Sequence, residues 1–378
     1  MKILITTGIF EPESGGPATY APRIAEKLVE AGHEVAVVTY SATRSYDGDA
    51  AHGFPIVRIV RRGKLSNYLR FFFALLWRLP RYDLVYSLDW LAAGLPAALS
   101  CGIWRRPFVV RVGGGYIWEK YLQDGHAPVT LDEFYRRGLH MMPEYATIYR
   151  IIRFVLARAS HIVFNSERQR ILSLSPYGLA EEQTSVIVNP VPQPIPGVVR
   201  GTPTKEIIFF GRLIVMKNVE VLIDAFRIAN LPALWHLAII GDGPQRGALE
   251  RRIKDAGMGE RIALLPAMRR DELYARVKDC AYAVIPSWTD ISPNQAAELL
   301  SLAIPFVITR ETYVPFLDQV PETFDPHVAE ELAEIMRRLA DGAEYERFSK
   351  AFGAIEYAYS WDDALREHMD VFSYVTMK

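Results

Sequence analysis

Residues 282–309 read Tyr-Ala-Val-Ile-Pro-Ser-Trp-Thr-Asp-Ile-Ser-Pro-Asn-Gln-Ala-Ala-Glu-Leu-Leu-Ser-Leu-Ala-Ile-Pro-Phe-Val-Ile-Thr. The apolar run Tyr282–Ile285 predicts a short buried strand, and Phe306–Thr309 predicts a second one. A polar loop and an amphipathic stretch lie between them, and Pro305 stops a helix just before the second strand. The stretch is therefore expected to form a strand–helix–strand unit of an α/β fold.

The start of this helix carries several capping signals. Ser292 is expected to be its N-cap, with Pro293 at the first helical position and Gln295 completing a capping box. The helix is expected to continue to about Ala303. Its first turn, which includes Asn294, would then offer unpaired N–H groups to an anion.

Two carboxylates flank this helix start. Asp290 comes just before the cap, and Glu298 follows eight positions later, about a turn and a half into the helix. The positive end of the helix dipole lies between them and could hold a phosphate. The arrangement suits a site that binds a diphosphate and two sets of sugar hydroxyls. An ordinary strand–helix–strand unit with two solvated acids is the alternative.

Composition limits the classes of protein that need to be considered. The chain has 378 residues, of which 50% are hydrophobic and 23% charged, as in globular proteins with room for two domains. Residues 1–190 carry 22 Lys and Arg against 17 Asp and Glu, whereas residues 191–378 carry 21 against 27. The first half could meet a phosphate-bearing acceptor or an anionic membrane. The offset is too small for a nucleic-acid binder.

Cysteine usage and the chain start both favour a cytoplasmic protein. Cys101 and Cys280 are far apart and lack metal-ligand spacing, so buried free thiols in a reducing compartment are expected. Met1–Thr7 is typical of a strand rather than of a signal peptide. The longest uncharged stretch, Leu91–Trp104, is too short to span a bilayer. Peripheral contact with the inner membrane face remains open.

Strands alternate with helices along both halves, which predicts parallel sheets covered by helices. In the first half, strands are expected at Lys2–Thr6, Glu34–Tyr40, Pro55–Val60, Leu84–Ser87, Phe108–Val112 and His161–Asn165, with a helix at Thr19–Ala31. In the second half, strands are expected at Glu206–Phe210, His236–Ile240 and Ile262–Leu264, with helices at Val219–Asn230, Gln245–Ala256 and Asp271–Lys278.

These elements predict two Rossmann-like, doubly wound domains at 1–190 and 191–355. Val186–Pro196 contains four prolines and is expected to be the linker. Residues 356–378 are expected to form a capped amphipathic helix that begins at Ser360.

Two loops follow predicted strands of the second half, where ligands of parallel sheets bind. Gly211–Lys217 places Arg212 and Lys217 five positions apart, so both cations could stabilise the charge on a leaving diphosphate. The turn Gly241-Asp242-Gly243-Pro244 permits close backbone approach, although such turns are common in Rossmann-like sheets.

These motifs resemble those of retaining glycosyltransferases of family 4, which have the GT-B fold. That family has Pro-Ser followed by Glu-x7-Glu, matched here by Pro286, Ser287 and Glu298, with Asp290 in place of the first Glu. The resemblance implies that the two domains face a cleft, that the second domain binds a nucleotide-sugar and that the first binds the acceptor. It also implies that the final helix crosses back to the first domain.

The remaining matches extend the resemblance along the chain. The family pattern Gly-Arg-Leu-x-x-x-Lys is matched by residues 211–217, and a family Gly-x-Gly-Pro turn by residues 241–244. The resemblance implies donor contacts at a set of residues in both halves: Gly15, Gly16, Gly211, Gly241, Gly243, Met268, Ser292, Pro293, Asn294 and Glu298.

The resemblance also implies separate roles for the charged residues. Glu298 would bind the ribose and Asp290 a sugar hydroxyl. Arg212, Lys217 and the helix terminus would supply the positive charge that a metal supplies elsewhere, so neither a metal nor a cofactor is expected.

The first half departs from the family at the end of its fifth strand. Many members have a His there, whereas this chain has the run Gly113-Gly114-Gly115, followed by Trp118 and Glu119. These five residues are the expected acceptor-binding group. Asp89, Glu119 or His126 could replace the missing His. Asp89 is favoured because it follows the strand Leu84–Ser87 and is therefore counted with the catalytic residues.

Lys64–Trp77 is basic at one end and aromatic in the middle. A helix packed into the core is the favoured interpretation, and an interfacial membrane helix is the alternative.

The resemblance therefore implies a retaining, metal-independent glycosyltransferase that moves a sugar to a saccharide or lipid-linked acceptor, with cell-surface polysaccharide or glycolipid synthesis as the expected setting. A nucleotide-sugar epimerase and a non-catalytic nucleotide-sugar-binding protein are the alternatives.

Overall fold

The structure is a computed structural model, and it describes residues 1–13, 15–191 and 199–377. The chain divides into two units. The first comprises Met1–Ile117, Tyr135–Asn189 and Tyr359–Lys378, and the second comprises Trp118–Phe134 and Pro190–Ala358. The predicted boundary near residue 190 therefore misses one segment, Trp118–Phe134, which belongs to the second unit. Part of the predicted linker, residues 192–196, lies outside the described residues.

The first unit contains a seven-stranded parallel sheet with the order β3-β2-β1-β4-β5-β6-β7. Its strands are β1 (Lys2–Thr7), β2 (Glu34–Ser41), β3 (Ile56–Val60), β4 (Leu84–Ser87), β5 (Phe108–Val112), β6 (His161–Phe164) and β7 (Thr184–Val186). Its helices are α1 (Gly16–Glu30), α2 (Lys64–Leu76), α3 (Gly94–Trp104), α6 (Ala146–Arg158), α7 (Glu167–Tyr177) and α14 (Trp361–Met377). The predicted strands are confirmed to within one or two residues. β7 was missed because only three residues pair.

The second unit contains a six-stranded parallel sheet with the order β10-β9-β8-β11-β12-β13. Its strands are β8 (Glu206–Phe210), β9 (His236–Ile240), β10 (Ile262–Leu265), β11 (Tyr282–Ile285), β12 (Phe306–Thr309) and β13 (Thr323–Phe324). Its helices are α8 (Val219–Ala229), α9 (Arg246–Asp255), α10 (Arg270–Val277), α11 (Asn294–Ser301), α12 (Ala329–Leu339) and α13 (Gly342–Phe352). Two short helices, α4 (Tyr116–Gln123) and α5 (Leu131–Arg136), lie where the chain passes between the units.

Apolar side chains fill both faces of each sheet, which explains why the strands are continuous hydrophobic runs. Ile3 and Ile5 of β1 are fully buried in the first unit, as are Ile207 and Phe209 of β8 in the second. Both cysteines are buried and free, as the sequence predicted. Among the residues that the structure describes, no helix is long and apolar enough to cross a membrane.

The final helix packs within the first unit. Ser360 and Asp363 form its N-terminal capping box, since the Asp363 N–H donates to Ser360 Oγ at 3.1 Å and the Ser360 N–H donates to Asp363 Oδ2 at 2.9 Å. Trp361 lies against the ring of Tyr20 at a centroid separation of 5.1 Å. α14 thus packs with α1 and β4 in one hydrophobic core.

His368 on α14 is fully buried and neutral. Its Nδ1 donates to the Ala364 carbonyl at 2.6 Å, which leaves Nε2 to accept from the Tyr86 hydroxyl at 2.7 Å. Burial and the positive charge of Arg111 lower the pKa of His368 to about 3.

This buried histidine predicts a loss of stability in mild acid. The unfolded chain binds a proton at His368 below about pH 6.5, whereas the folded chain stays neutral down to about pH 3. The contribution of neutral His368 to the free energy of unfolding is complete above pH 6.5. It falls by up to about 1.4 kcal/mol per pH unit as the pH decreases through this window. Urea denaturation at several pH values should show a shallower acid dependence for His368→Gln than for the wild type.

The exposed His236 provides the matched control. His236→Gln should leave the acid dependence of the free energy of unfolding unchanged. Equal slopes for the wild type and His368→Gln would show that His368 is protonated in the folded chain.

Candidate functional site

The sheet of the second unit has a topological switch point between β8 and β11. The chain continues from β8 towards β9 on one side and from β11 towards β12 on the other, so the loops after these two strands diverge at their carboxyl ends. Such a point is where open α/β sheets bind ligands. The two loops are joined there by the Trp288 N–H, which donates to the Met216 carbonyl at 2.9 Å.

An ion pair lies at this switch point. Lys217 ends a short 3-10 turn after β8, and its Nζ is in direct hydrogen-bond contact with Asp290 Oδ2. The same oxygen accepts from Ser287 Oγ at 3.1 Å. The Lys217 and Asp290 side chains are only 15% and 9% exposed. The structure therefore pairs a cation with an acid, although separate roles are expected for the two residues.

The backbone around Asp290 is held on both sides. The Asp290 N–H donates to the Glu311 carbonyl at 3.3 Å, and its own carbonyl accepts from the Tyr313 N–H at 2.8 Å. Thr309 Oγ1 donates to the Ser287 carbonyl at 3.0 Å. The loop that carries the acid is thus fastened to the loop after β12, so the carboxylate is positioned before any ligand binds.

The capping prediction for the neighbouring helix is wrong. α11 begins at Asn294, its N-cap is Pro293, and no side chain caps it. Ser292 lies in the left-handed region at a φ of 59°, which turns the chain before the helix starts. Because Pro293 has an extended ψ of 125°, the helical backbone begins one residue later than predicted. The helix also ends earlier, at Ser301, because Ala303 turns left-handed at a φ of 52°.

Gln295 does not complete a capping box but lies in the first turn of α11 with 7% of its surface exposed. Its buried Nε2 has no hydrogen-bond partner among the residues that the structure describes. The first turn of α11 therefore combines backbone N–H groups with a buried amide at the switch point, where an anion would be stabilised.

Glu298 lies one turn further along α11 and is held by Arg270 of α10. Arg270 Nη2 donates to Glu298 Oε1 at 3.2 Å, and Arg270 Nε donates to the Tyr274 hydroxyl at 3.0 Å. Burial raises the pKa of Glu298, and the positive charge of Arg270 partly offsets that rise. Sequence reasoning missed Arg270, because nothing in an Arg-Arg-Asp-Glu run indicates which residue faces α11.

Arg212 differs from Lys217 in its surroundings. Its side chain is exposed, and its guanidinium makes no hydrogen bond or ion pair with any other described residue. A guanidinium in this position after β8 can bind two oxygens of one phosphate. The loop thus carries one cation that is already paired and one that has no partner among the described residues.

The glycines of the loops after β8 and β9 permit backbone contact. A methyl group on Gly241 would lie 1.9 Å from the Gly211 carbonyl oxygen, and one on Gly243 would lie 2.4 Å from the Leu213 carbonyl oxygen. The Leu213 N–H donates to the Asp242 carbonyl at 2.9 Å across this contact. These glycines therefore position the loop that carries Arg212. Met268 lies half-buried just after β10, beyond the strand that borders these loops.

Gly241→Ala is expected to destabilise the protein by about 1–3 kcal/mol, because the new methyl group would meet a carbonyl oxygen and the φ of 158° is strained for alanine. Urea denaturation measures this loss. Gly247→Ala in the first turn of α9 is the matched control, since its methyl group would meet only Arg251 Nη1 at 3.8 Å. The control should be neutral or slightly stabilising. Equal stability for both variants would contradict the packing argument.

The first unit has its own switch point between β1 and β4. Gly15 is the N-cap of α1 with a φ of 152°, and a methyl group there would lie 2.6 Å from Ile9 Cδ1. A methyl group on Gly16 would have no described atom within 4 Å. Glycine is therefore favoured at position 15, where the backbone conformation and the nearby Ile9 side chain disfavour a Cβ atom.

Asp89 follows β4 at the same switch point but is occupied by the backbone. Its Oδ1 accepts the N–H groups of Leu91 and Ala93 at 2.9 Å each and that of Gly94 at 3.4 Å. Burial raises its pKa, and these donors act in the opposite direction. In this arrangement Asp89 holds the chain at the start of α3, and its assignment as the group replacing the family His remains a prediction.

The expected acceptor-binding residues are divided between the two units, and their role stays a prediction. Gly113, Gly114 and Gly115 belong to the first unit, whereas Trp118 and Glu119 begin the segment that joins the second. Gln169 Nε2 donates to the Gly114 carbonyl at 3.3 Å.

Trp118 is only 1% exposed, and its Nε1 donates to the Val129 carbonyl at 2.8 Å. This placement gives Trp118 a packing role, and its expected contact with the acceptor stays a prediction. Glu119 is half-buried on α4.

The segment Trp118–Phe134 reaches the predicted donor site of the second unit. The Leu131 N–H donates to Thr289 Oγ1 at 2.9 Å, next to Asp290. His327 connects the same segment to the motif, since its ring lies 4.8 Å from that of Trp288 and its Nε2 lies 3.3 Å from Glu133 Oε2. No sequence signal predicted this contact, because it joins residues about 160 positions apart.

Within the described ranges, no group of three or more His, Cys, Asp or Glu side chains is arranged to hold a metal ion. The Asp-x-Asp triplet Asp47-Gly48-Asp49 lies in a 3-10 turn of the first unit, where Arg58 Nε donates to Asp49 Oδ2 at 2.8 Å.

Comparison with known proteins identifies the family. Residues 15–190 match the model of the glycosyl transferase 4-like domain, and residues 204–341 match that of glycosyl transferases group 1. The chain belongs to the family 4-like glycosyltransferases. It is 25% identical over 338 residues to an uncharacterised glycosyltransferase of Methanocaldococcus jannaschii, covering 82% of this chain and 80% of the relative.

Solved structures show the same fold. HepE of Anabaena, in complex with UDP-glucose, superposes with a TM-score of 0.75 at 18% identity and covers 99% of this chain and 100% of its own. Sucrose-phosphate synthase from Thermosynechococcus elongatus gives a TM-score of 0.73 at 17% identity, covering 99% of this chain and 98% of its own. The fold is therefore GT-B, built from two Rossmann-like units.

Proposed function

We propose that this chain transfers a sugar from a nucleotide-sugar to a saccharide or lipid-linked acceptor, with retention at the anomeric carbon. The observation that carries the proposal is the grouping of Lys217, Asp290 and Ser287 beside the first turn of α11, at the switch point of the second sheet. The reaction must stabilise a leaving diphosphate, and this position offers two cations and a helix N-terminus.

Each part of the donor has a suitable group. The diphosphate would lie against the first turn of α11, Arg212 and Lys217. Glu298 would accept hydrogen bonds from the ribose hydroxyls. Burial raises the pKa of Glu298, and the positive charge of Arg270 offsets part of that rise. Asp290 would bind a hydroxyl of the sugar. Since the protein itself supplies positive charge to the diphosphate, we propose that transfer needs no metal.

The acceptor and the pathway belong to the same proposal. The first unit would bind the acceptor, and synthesis of a cell-surface polysaccharide or glycolipid is the proposed setting. The first half of the chain has a charge balance of +5, which favours an acceptor that carries phosphate.

Calorimetry with UDP and with UDP-glucose tests the donor site, the latter chosen because HepE binds it. Glu298→Gln should weaken the binding of UDP and of UDP-glucose equally, because the ribose is common to both ligands. Losing one hydrogen bond to a charged acceptor should cost about 1.5–3 kcal/mol. Glu346→Gln on the exposed face of α13 is the matched control and should bind like the wild type.

Incubation with radiolabelled nucleotide-sugars and a panel of saccharide and lipid-linked acceptors tests transfer. We expect a labelled product with retained configuration, formed equally in the presence of EDTA. Loss of transfer in EDTA and its recovery with Mn²⁺ would contradict metal independence. Epimerised donor without any acceptor product would identify an epimerase, and donor binding without turnover would identify a binding protein.

A further inference from the structure

One helix of the first unit exposes a stripe of large apolar side chains. Leu65, Leu69, Phe73 and Trp77 recur every four positions along α2 and its C-cap, and they are between 49% and 80% exposed. Residues with this spacing lie on one side of a helix. The stripe is about 18 Å long, at 1.5 Å per residue.

The neighbouring helix α3 extends this surface. Leu99, Ile103 and Trp104 are exposed on it, and Trp104 Nε1 donates to the Leu76 carbonyl at the end of α2 at 2.9 Å. Seven of the fourteen exposed large hydrophobic residues among those described lie on these two helices. We call this surface the α2–α3 face: Leu65, Leu69, Phe73, Trp77, Leu99, Ile103 and Trp104.

The face is additional to the side of α2 that packs in the core. Phe71 and Leu75 point inward and are fully buried. The prediction that α2 packs into the core therefore holds for one side of the helix. Its solvent-exposed side is apolar as well. A helix that is apolar on both sides is unusual on a monomer surface and indicates a binding surface.

Basic residues accompany the face. Residues 61–107 contain eight Arg and Lys but only two acids, Asp83 and Asp89. Asp89 accepts backbone N–H groups at the start of α3, and Asp83 accepts from the Lys2 N–H at 2.7 Å. Four exposed cations lie at the ends of the two helices: Arg62, Lys64, Arg81 and Arg105.

We propose that the α2–α3 face docks on an anionic lipid bilayer. Phe73 and the two Trp residues would enter the interface, where amphipathic rings are favoured, and the flanking cations would lie at the level of the acidic headgroups. A second copy of the chain is the less suitable occupant, because a symmetric contact would bring two sets of cations together. This inference is independent of the transfer reaction.

Co-sedimentation with lipid vesicles tests the proposal. The full chain should sediment with vesicles of equal parts phosphatidylcholine and phosphatidylglycerol and remain in solution with phosphatidylcholine alone. Phe73→Ser combined with Trp77→Ser should weaken binding by about tenfold or more. Arg62→Glu combined with Lys64→Glu should weaken vesicle binding by at least about fivefold for each residue. Added salt should also weaken vesicle binding.

Leu234→Ser provides the matched control, since Leu234 is 76% exposed but lies in the second unit. It should bind vesicles like the wild type. All variants should keep wild-type affinity for UDP, which separates failure of this proposal from failure of the donor site.

Two outcomes would overturn the proposal. The first is equal sedimentation of the wild type and Phe73→Ser/Trp77→Ser. The second is a dimer in solution that these two substitutions dissociate, in a chain that does not bind anionic vesicles. The second result would assign the face to a contact between copies.

Discussion

Arg212→Ala is expected to lower the turnover number for sugar transfer by roughly 100–1,000-fold, because loss of one preorganised donor to a developing anion has an effect of this size. The fold should be unaffected. The Arg212 side chain is exposed, and its guanidinium has no partner among the described residues, so its removal leaves no group unpaired. Steady-state kinetics with a labelled donor and urea denaturation of the same sample measure the two effects.

Arg251→Ala on the exposed side of α9 is the matched control and should retain full turnover. Arg212→Lys should be intermediate, because lysine keeps the charge but cannot bind two phosphate oxygens at once. If Arg212→Ala turned over at the wild-type rate, the diphosphate would not be bound at the loop after β8.

Asp290→Asn and Lys217→Ala should lower turnover through different steps. Asp290→Asn should leave UDP affinity nearly unchanged and reduce the rate with the intact donor, because the carboxylate is proposed to contact the sugar. Lys217→Ala should lower the affinity for UDP as well as the turnover rate, because the cation is proposed to contact the diphosphate. Calorimetry and kinetics on both variants distinguish binding from turnover.

The two residues should also be coupled in stability. Their side chains are 15% and 9% exposed, so each single substitution leaves a largely buried partner uncompensated. A double-mutant cycle in urea should give a coupling energy of about 0.5–3 kcal/mol. Asp290→Glu should instead shift preference among donor sugars. Equal loss of UDP affinity in Asp290→Asn and Lys217→Ala would contradict the separate roles, and a coupling energy of zero would contradict the ion pair.

The strands were predictable because their sequence signal is local. Tyr282–Ile285 and Phe306–Thr309 are apolar runs bounded by prolines or polar loops, and the structure has strands with these same limits. The start of α11 was not predicted correctly, although Ser292 and Gln295 match a capping box. The chain is fastened there by contacts with Thr312 and Tyr313, and these tertiary contacts override local capping preference.

The site was predictable only as separate residues. Position after a strand identified Arg212, Lys217, Asp290 and Asp89 as loop residues. It could not show that Lys217 pairs with Asp290 or that Asp89 is occupied by backbone N–H groups, since both contacts depend on side-chain direction. The contact between Leu131 and Thr289 lay beyond any local pattern.

The division of the chain has a consequence for synthesis on the ribosome. Neither unit is one continuous stretch, since the second includes Trp118–Phe134 and the first includes Tyr359–Lys378, which follows the second unit in sequence. Trp118–Phe134 therefore cannot pack against the sheet of the second unit until the residues from 206 onward have been synthesised. The first unit cannot bury Tyr86 against His368 until α14 has been translated. A nascent chain stalled anywhere before α14 should thus remain open to proteases and chaperones, even when every strand of the described residues is already outside the exit tunnel.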